Sequence, residues 1–261
     1  MRKYVRIIGY LLSMLSSTLI IGGCTEKSEP SVKTGIIGAM DDEVDSLKEA
    51  VKNPKITKLA GVEFCEGTLD GADVVIVKSG VGKVNAGTCA QLLINVFQVN
   101  RIINTGVAGS LDHSINIGDI VVSIDAVQHD YDLTALGFAP GELYETGSAS
   151  LPADEKMRKS AVNAVKQCAP EVRVFEGRVC TGDQFISTLE QKENIIKRVG
   201  GTCCDMEGGA IAQICCNNEI PYVIIRAISD KVDGSAEVAY AEFEKAAATR
   251  CAAITRYMLT H

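Results

Sequence analysis

Short apolar runs alternate along the chain with longer stretches of mixed polarity. Six runs read as strands: "KTGIIGA" from Lys33, "ADVVIVKSG" from Ala72, "RIINTG" from Arg101, "GDIVVSIDAV" from Gly118, "VRVFEGRVCTG" from Val172 and "PYVIIRAIS" from Pro221. Several are apolar almost without interruption, as a strand covered on both faces must be. Between them the spacing predicts helices over 41–52, 83–97, 154–168, 187–198, 206–218 and 236–258. In the last of these, Val238, Phe243, Ala246 and Ala247 fall near helical spacing. This alternation predicts an α/β domain with helices on both faces of a parallel or mixed sheet. "GVEFCEGTLDGADVVIV" reads as a hairpin turning at Asp70-Gly71, which favours a mixed sheet.

The first residues follow another pattern. Arg2, Lys3 and Arg6 precede the apolar run "IIGYLLSMLSSTLIIGG", which ends at Cys24. A basic end, an apolar core and small residues before the cut describe a secretory signal. The "IGGC" ending resembles a bacterial lipobox. Residues 1–23 are therefore expected to be a signal peptide, and Cys24 the acylated first residue of an exported protein anchored to the bacterial membrane. Residues 24–32 read as a polar tether and 33–261 as a single domain. An uncleaved anchor is the competing reading, because the run is near the ~20-residue spanning length.

Removing residues 1–23 takes away three positive charges and no acid, which moves the formal charge from −7 to −10. That balance argues against nucleic acid or an anionic membrane surface as a partner; membrane contact is expected only through the lipid on Cys24. Of the ten cysteines, nine remain once Cys24 is acylated, an odd number that cannot all pair within one chain. Cys203-Cys204 and Cys215-Cys216 lack metal-ligand spacing and there are three histidines, so no metal site is expected. Most of the cysteines read as small buried hydrophobes, with room for one or two disulfides after export.

In open α/β folds ligands sit beyond the carboxyl ends of the strands. The segments there are "GAMDDE", "SGVGKVNAG", "NTGVAGS", "TGDQFIS", "DMEGGA" and "SDKVDG": glycine-bearing turns and acidic ones. In order and spacing, "GIIGAMDDEV", "KSGVGKVNA", "INTGVAGSL", "GDIVVS", "TGDQFI", "DMEGGAIA" and "VIIRAISDKVD" resemble the 5′-methylthioadenosine/S-adenosylhomocysteine nucleosidases of the purine nucleoside phosphorylase superfamily. The resemblance runs from about Val32 to the C-terminus. It implies a three-layer αβα sandwich around a mixed, mostly parallel sheet, with no cofactor. The implied reaction is hydrolysis of the N-glycosidic bond of methylthioadenosine, S-adenosylhomocysteine or 5′-deoxyadenosine, with release of adenine. It also implies a homodimer in which segment 127–138 closes the partner's site, making His129 an interface residue.

Such a cleavage expels a poor leaving group from an oxocarbenium-like sugar. An enzyme can protonate the purine at N7, activate a water, and hold the ribose hydroxyls. Asp230 follows the most apolar strand, where desolvation can keep a carboxyl protonated. By resemblance it is the general acid, with Ser229 as its orienter; the competing role is a helix N-cap. Glu43 matches the group that activates water, and Met40 lines the ribose. Asp41 and Asp42 read as first-turn acids favoured by the helix dipole. Arg226 matches a residue that positions the water. Glu207 matches the ribose-diol acceptor, a geometry one carboxylate can supply, and Met206 packs under the sugar. Phe185 is placed to stack on the purine, and the Ile186 backbone to read its edge. The chain departs from the family at Val107, where serine is common, at Asp205, where glutamate is usual, and at Tyr240, where phenylalanine often meets the 5′ group. Phe243, one turn later, competes for that last role.

Two other functions compete. A phosphorylase of the same fold needs a cationic clamp for phosphate, whereas "GAMDDEV" offers acids and "NTGVAGS" has no Arg or Lys. A lipid-tethered nucleoside-binding protein would have no need of Glu43, Glu207 and Asp230 together.

Overall fold

The computed structural model describes residues 32–232 and 236–261, with only the backbone for 236–245. The signal, lipobox and most of the tether lie outside the described residues, as do the side chains of Tyr240 and Phe243. In chain order the elements are β1 (Lys33–Gly38), α1 (Asp41–Glu49), β2 (Lys52–Leu59), β3 (Val62–Leu69), β4 (Ala72–Lys78), α2 (Lys83–Asn95), β5 (Arg101–Ser110) and β6 (Ile120–Gln128). There follow β7 (Leu151–Pro152), α3 (Glu155–Cys168), β8 (Val174–Thr181), α4 (Leu189–Val199), β9 (Cys203–Asp205), α5 (Gly208–Asn217), β10 (Tyr222–Asp230) and α6 (Ala236–Thr260).

All six expected strands form. The hairpin turns where expected, with φ of 50° at Asp70 and 91° at Gly71, the positive angles a tight two-residue turn demands. Three strands were not expected. β2 begins where the predicted 41–52 helix was to end. Its segment "KNPKITKL" is exposed along nearly its whole length, so it has no buried face to write an alternating pattern. β7 and β9 are two and three residues long, too short to carry any period.

The pairing path makes the sheet mixed. β4, β1, β5 and β10 lie side by side in parallel. β10 continues antiparallel to β6, β6 parallel to β8, and β8 parallel to β9, which returns antiparallel to β5. Five strands therefore close on themselves, and β4, β3 and β2 extend the sheet on the other side of β1. The period of two along β10 makes the layers. Ile224 and Ile228 join Leu93, Ile211 and Cys215 under α2 and α5. Val223, Ile225 and Ala227 join Met157, Cys251 and Ile254 under α3 and α6. β10 is buried throughout. The nine cysteines among the described residues are free thiols, most of them buried.

Candidate active site

The carboxyl ends of β1, β5, β9 and β10 open into a cavity of about 240 Å³. Met40, Glu43, Phe185, Ile186, Met206, Glu207, Ser229 and Asp230 all line it, drawn from four separate segments of chain. Val107 and Asp205, the two departures whose side chains are described, line it as well.

β1 ends at Gly38 and α1 starts three residues later, so the first-turn acids emerge at the mouth of the strand. They divide. Asp41 and Asp42 are exposed, and Asp41 pairs with Lys78 at 2.8 Å. Glu43 turns inward and is 3% exposed. Its Oε2 accepts from the backbone N–H of Ala39 at 2.6 Å and of Met40 at 3.1 Å, and its Oε1 from that of Val107 at 3.1 Å. Burial pushes the carboxyl up, while Arg226 and these three N–H groups oppose that rise. Gly106 makes the place: a Cβ there would stand 2.6 Å from Glu43 Oε1.

Arg226 is an arginine in the middle of a buried strand, 2% exposed. Its Nε and Nη2 donate to Asp205 Oδ2 at 2.9 and 2.7 Å, Nη2 also to Asn104 Oδ1 at 2.5 Å, and Nη1 to the Ile225 carbonyl at 3.2 Å. The guanidinium therefore stands behind the wall of the cavity and acts on Glu43 by its charge. Asp205 is its anchor, held in turn by the Thr181 hydroxyl and the Gly208 N–H. The short arm of aspartate reaches all of these partners.

Glu207 sits at the N-cap of α5, and its Oε1 accepts from the Gly82 N–H at 2.8 Å. Burial, with the like charge of Asp205 second, pushes its carboxyl up to about 7. At the other end, Asp230 closes β10 at 3% exposure. Its Oδ1 lies 3.0 Å from Ser229 Oγ, which also faces the Ala108 carbonyl at 3.3 Å. A Cβ on Gly109 would stand 2.9 Å from Asp230 Oδ2. Gly106 and Gly109 are three residues apart on β5, so Glu43 and Asp230 flank points on the order of 10 Å apart along the strand.

The wholly buried Lys192 of α4, not singled out in the sequence, donates to Asp230 Oδ2. Residue-by-residue reading also missed Val81, Gln184 and Cys204, which line the cavity. His129 is buried at the end of β6 against Gly182, with no partner for its Nε2, and burial pushes its pKa down. It is not among the cavity's lining residues.

Residues 33–260 match the phosphorylase superfamily. The chain is similar to the 5′-methylthioadenosine/S-adenosylhomocysteine nucleosidase of Shewanella sediminis, at 40% identity over 213 residues, covering 81% of this chain and 92% of the relative. Among solved structures it is similar to the nucleosidase of the same description from Colwellia psychrerythraea in complex with adenine. There the TM-score is 0.84 at 38% identity, over 88% of this chain and 95% of that one. The enzyme from Neisseria meningitidis in complex with methylthio-immucillin-A gives a TM-score of 0.83 at 34% identity, over 87% and 97%. A family match over residues 33–260, with relatives about 40% identical over four-fifths of the chain, places the chain in the 5′-methylthioadenosine/S-adenosylhomocysteine nucleosidase family of the phosphorylase superfamily.

Proposed function

We propose that the protein hydrolyses the N-glycosidic bond of 5′-methylthioadenosine and S-adenosylhomocysteine, releasing adenine and the 5-substituted ribose. The observation that carries this reading is a cavity with a buried acid at each end and no lysine or arginine among its described lining residues. Acids repel phosphate and suit water. In this reading Asp230, oriented by Ser229, delivers a proton to purine N7. Glu43 binds the attacking water and takes its proton, with Arg226 supporting the charge of Glu43 from behind. Glu207 accepts the ribose hydroxyls while Met40 and Met206 pack against the sugar. Phe185, half-exposed at the rim, stacks on the base, and the Ile186 backbone reads its edge. By resemblance the 5′ substituent falls to Tyr240, or to Phe243 one turn later, whose side chains lie outside the described residues.

Adenine release from methylthioadenosine, followed by absorbance, tests the reaction. Release is expected at the same rate with and without phosphate. A requirement for phosphate would mean a phosphorylase, and no release would mean a binding protein.

Glu207 adds a pH signature. Burial raises its carboxyl to about 7, so its protonation changes across the neutral range. Only the ionised form accepts from both hydroxyls of a diol, so binding and proton release are linked. KM for methylthioadenosine should therefore rise by up to about tenfold per pH unit as pH falls below 7. Glu207→Gln should bind weakly at every pH. A flat KM from pH 8 to pH 6 in the wild-type protein would remove the diol role.

The same reading extends to assembly and location. It makes the protein a homodimer in which segment 127–138 closes the partner's site, exported and held at the membrane by lipid on Cys24. Mass spectrometry of the membrane fraction should then find a diacylated N-terminal Cys24 peptide. An intact peptide crossing residues 23 and 24 in the mature protein would sink that part of the reading.

A further inference from the structure

Lys192 has no role in the reaction so far described, yet it is 0% exposed. Lysines are almost never fully buried unless paired. Its helix is started by a capping box between Thr188 and Gln191, which turns Lys192 onto the inward face that Ile195 also occupies. There its Nζ donates to Asp230 Oδ2 and to the Lys231 carbonyl. From β10, Ser229 holds the other carboxyl oxygen. From β9, the Cys204 thiol faces the pair, and burial pushes it up to about 12, so it keeps its proton. Asp205, also on β9, is committed to Arg226.

We propose that Lys192 is the source of the proton that Asp230 delivers: a positioning residue that acts on the purine through the carboxyl it holds. The inference rests on the assignment of Asp230 to N7 given above. The group hydrogen-bonded to Oδ2 that carries a transferable proton is Lys192. As the C1′–N9 bond breaks, its electron pair flows into the purine and N7 takes a proton from Asp230 Oδ2. That proton is the one Oδ2 receives as an N–H bond of Lys192 breaks, so it passes through Oδ2 and none stays there. Lys192 is left as a neutral amine that can still donate to the Asp230 carboxylate, whose other oxygen keeps Ser229. Water adds to C1′ and gives its proton to Glu43. After adenine leaves, Glu43 returns that proton to solvent and Lys192 regains one, so the cycle closes without another reactant.

Two substrates and two variants of the full chain test this. Methylthioadenosine needs a proton on its leaving group; the p-nitrophenyl 5-methylthioriboside does not, because nitrophenolate departs as the anion. Lys192→Met should lower kcat for methylthioadenosine on the order of 10²-fold, leave its KM little changed, and leave kcat for the nitrophenyl riboside nearly intact. Lys192→Arg keeps the charge but cannot give up a proton, so it should lower kcat for methylthioadenosine as well. Parallel losses on both substrates, or full activity in either variant, would overturn the proposal in favour of a structural ion pair. Should neither variant fold, the wild-type protein still decides. An ammonium ionises with a large heat and a carboxyl with almost none, so the alkaline limb of kcat for methylthioadenosine should move to lower pH on warming. A limb that stays in place would overturn the proposal too. Failure of wild-type protein to release adenine at all is a different result, and would strike the proposed reaction instead.

Discussion

Asp230→Asn is expected to lower kcat for methylthioadenosine by ~10²–10⁴-fold while the protein still binds the nucleoside. The amide is close to the carboxyl in shape and can still donate a hydrogen bond, but it cannot pass on a proton. The substitution also leaves Lys192 without its counter-charge in a place with no water, so the variant should unfold at a lower temperature than the wild type. Two measurements separate these effects: nucleoside binding by calorimetry, which should persist, and single-turnover adenine release, which should collapse. Retention of more than about a third of the wild-type kcat, against the 10²-fold or more that a general acid contributes, would end the assignment. Glu43→Gln should lose a comparable factor but is a less clean test. Three backbone N–H groups converge on the two oxygens of Glu43, and a glutamine has one oxygen to offer them, so a helix N-terminus is disturbed along with the chemistry.

The parts of this architecture that the chain's pattern reveals are those whose burial is local and periodic. "PYVIIRAIS" reads as a strand covered on both faces, and β10 is one. "LDGA" reads as a hairpin turn because Asp-Gly accepts the positive φ angles the turn requires, and it adopts them. β2 escapes because an edge strand lying on the surface needs no apolar face. The acids at the strand ends are harder. On helix-dipole grounds Asp41, Asp42 and Glu43 are equivalent; what sets Glu43 apart is the bare backbone of Gly106 on β5, a neighbour made only by the fold. The family resemblance identified Glu43, and no local signal would have. Lys192 is the sharper case. In "LEQKEN" it looks like one charge among several on a solvated helix. The Thr188–Gln191 capping box and the three-residue step to Ile195 do place it on the inward face, but a lysine there contradicts its own polarity. Such a contradiction between helix face and residue type is where a functional group should be sought.

Asp205→Ala is expected to cost ~3–5 kcal/mol of stability, because it strands a buried guanidinium. Asp205 and Arg226 are both almost wholly buried, and the aspartate Oδ2 accepts from two guanidinium nitrogens. Its other contacts, to Thr181 and to the Gly208 N–H, tie β8 and the start of α5 to the same carboxylate. Removing it therefore loosens the support behind both Glu43 and Glu207. Urea unfolding measures the loss. A second reading comes from pH: with the like charge of Asp205 gone, the Glu207 carboxyl should fall from about 7, and the rise of KM at low pH should begin further into the acid range. Asp205→Glu restores the carboxylate but adds a methylene where the packing is already tight. A Cβ on Gly208 would stand 2.6 Å from Asp205 Oδ2. This variant should recover only part of the lost stability. If Asp205→Ala cost less than about 1 kcal/mol, the range of an exposed pair, Arg226 would have to be drawing its compensation from Glu43 and Glu207. The guanidinium would then belong to the water site itself, and Asp205 would be its bystander.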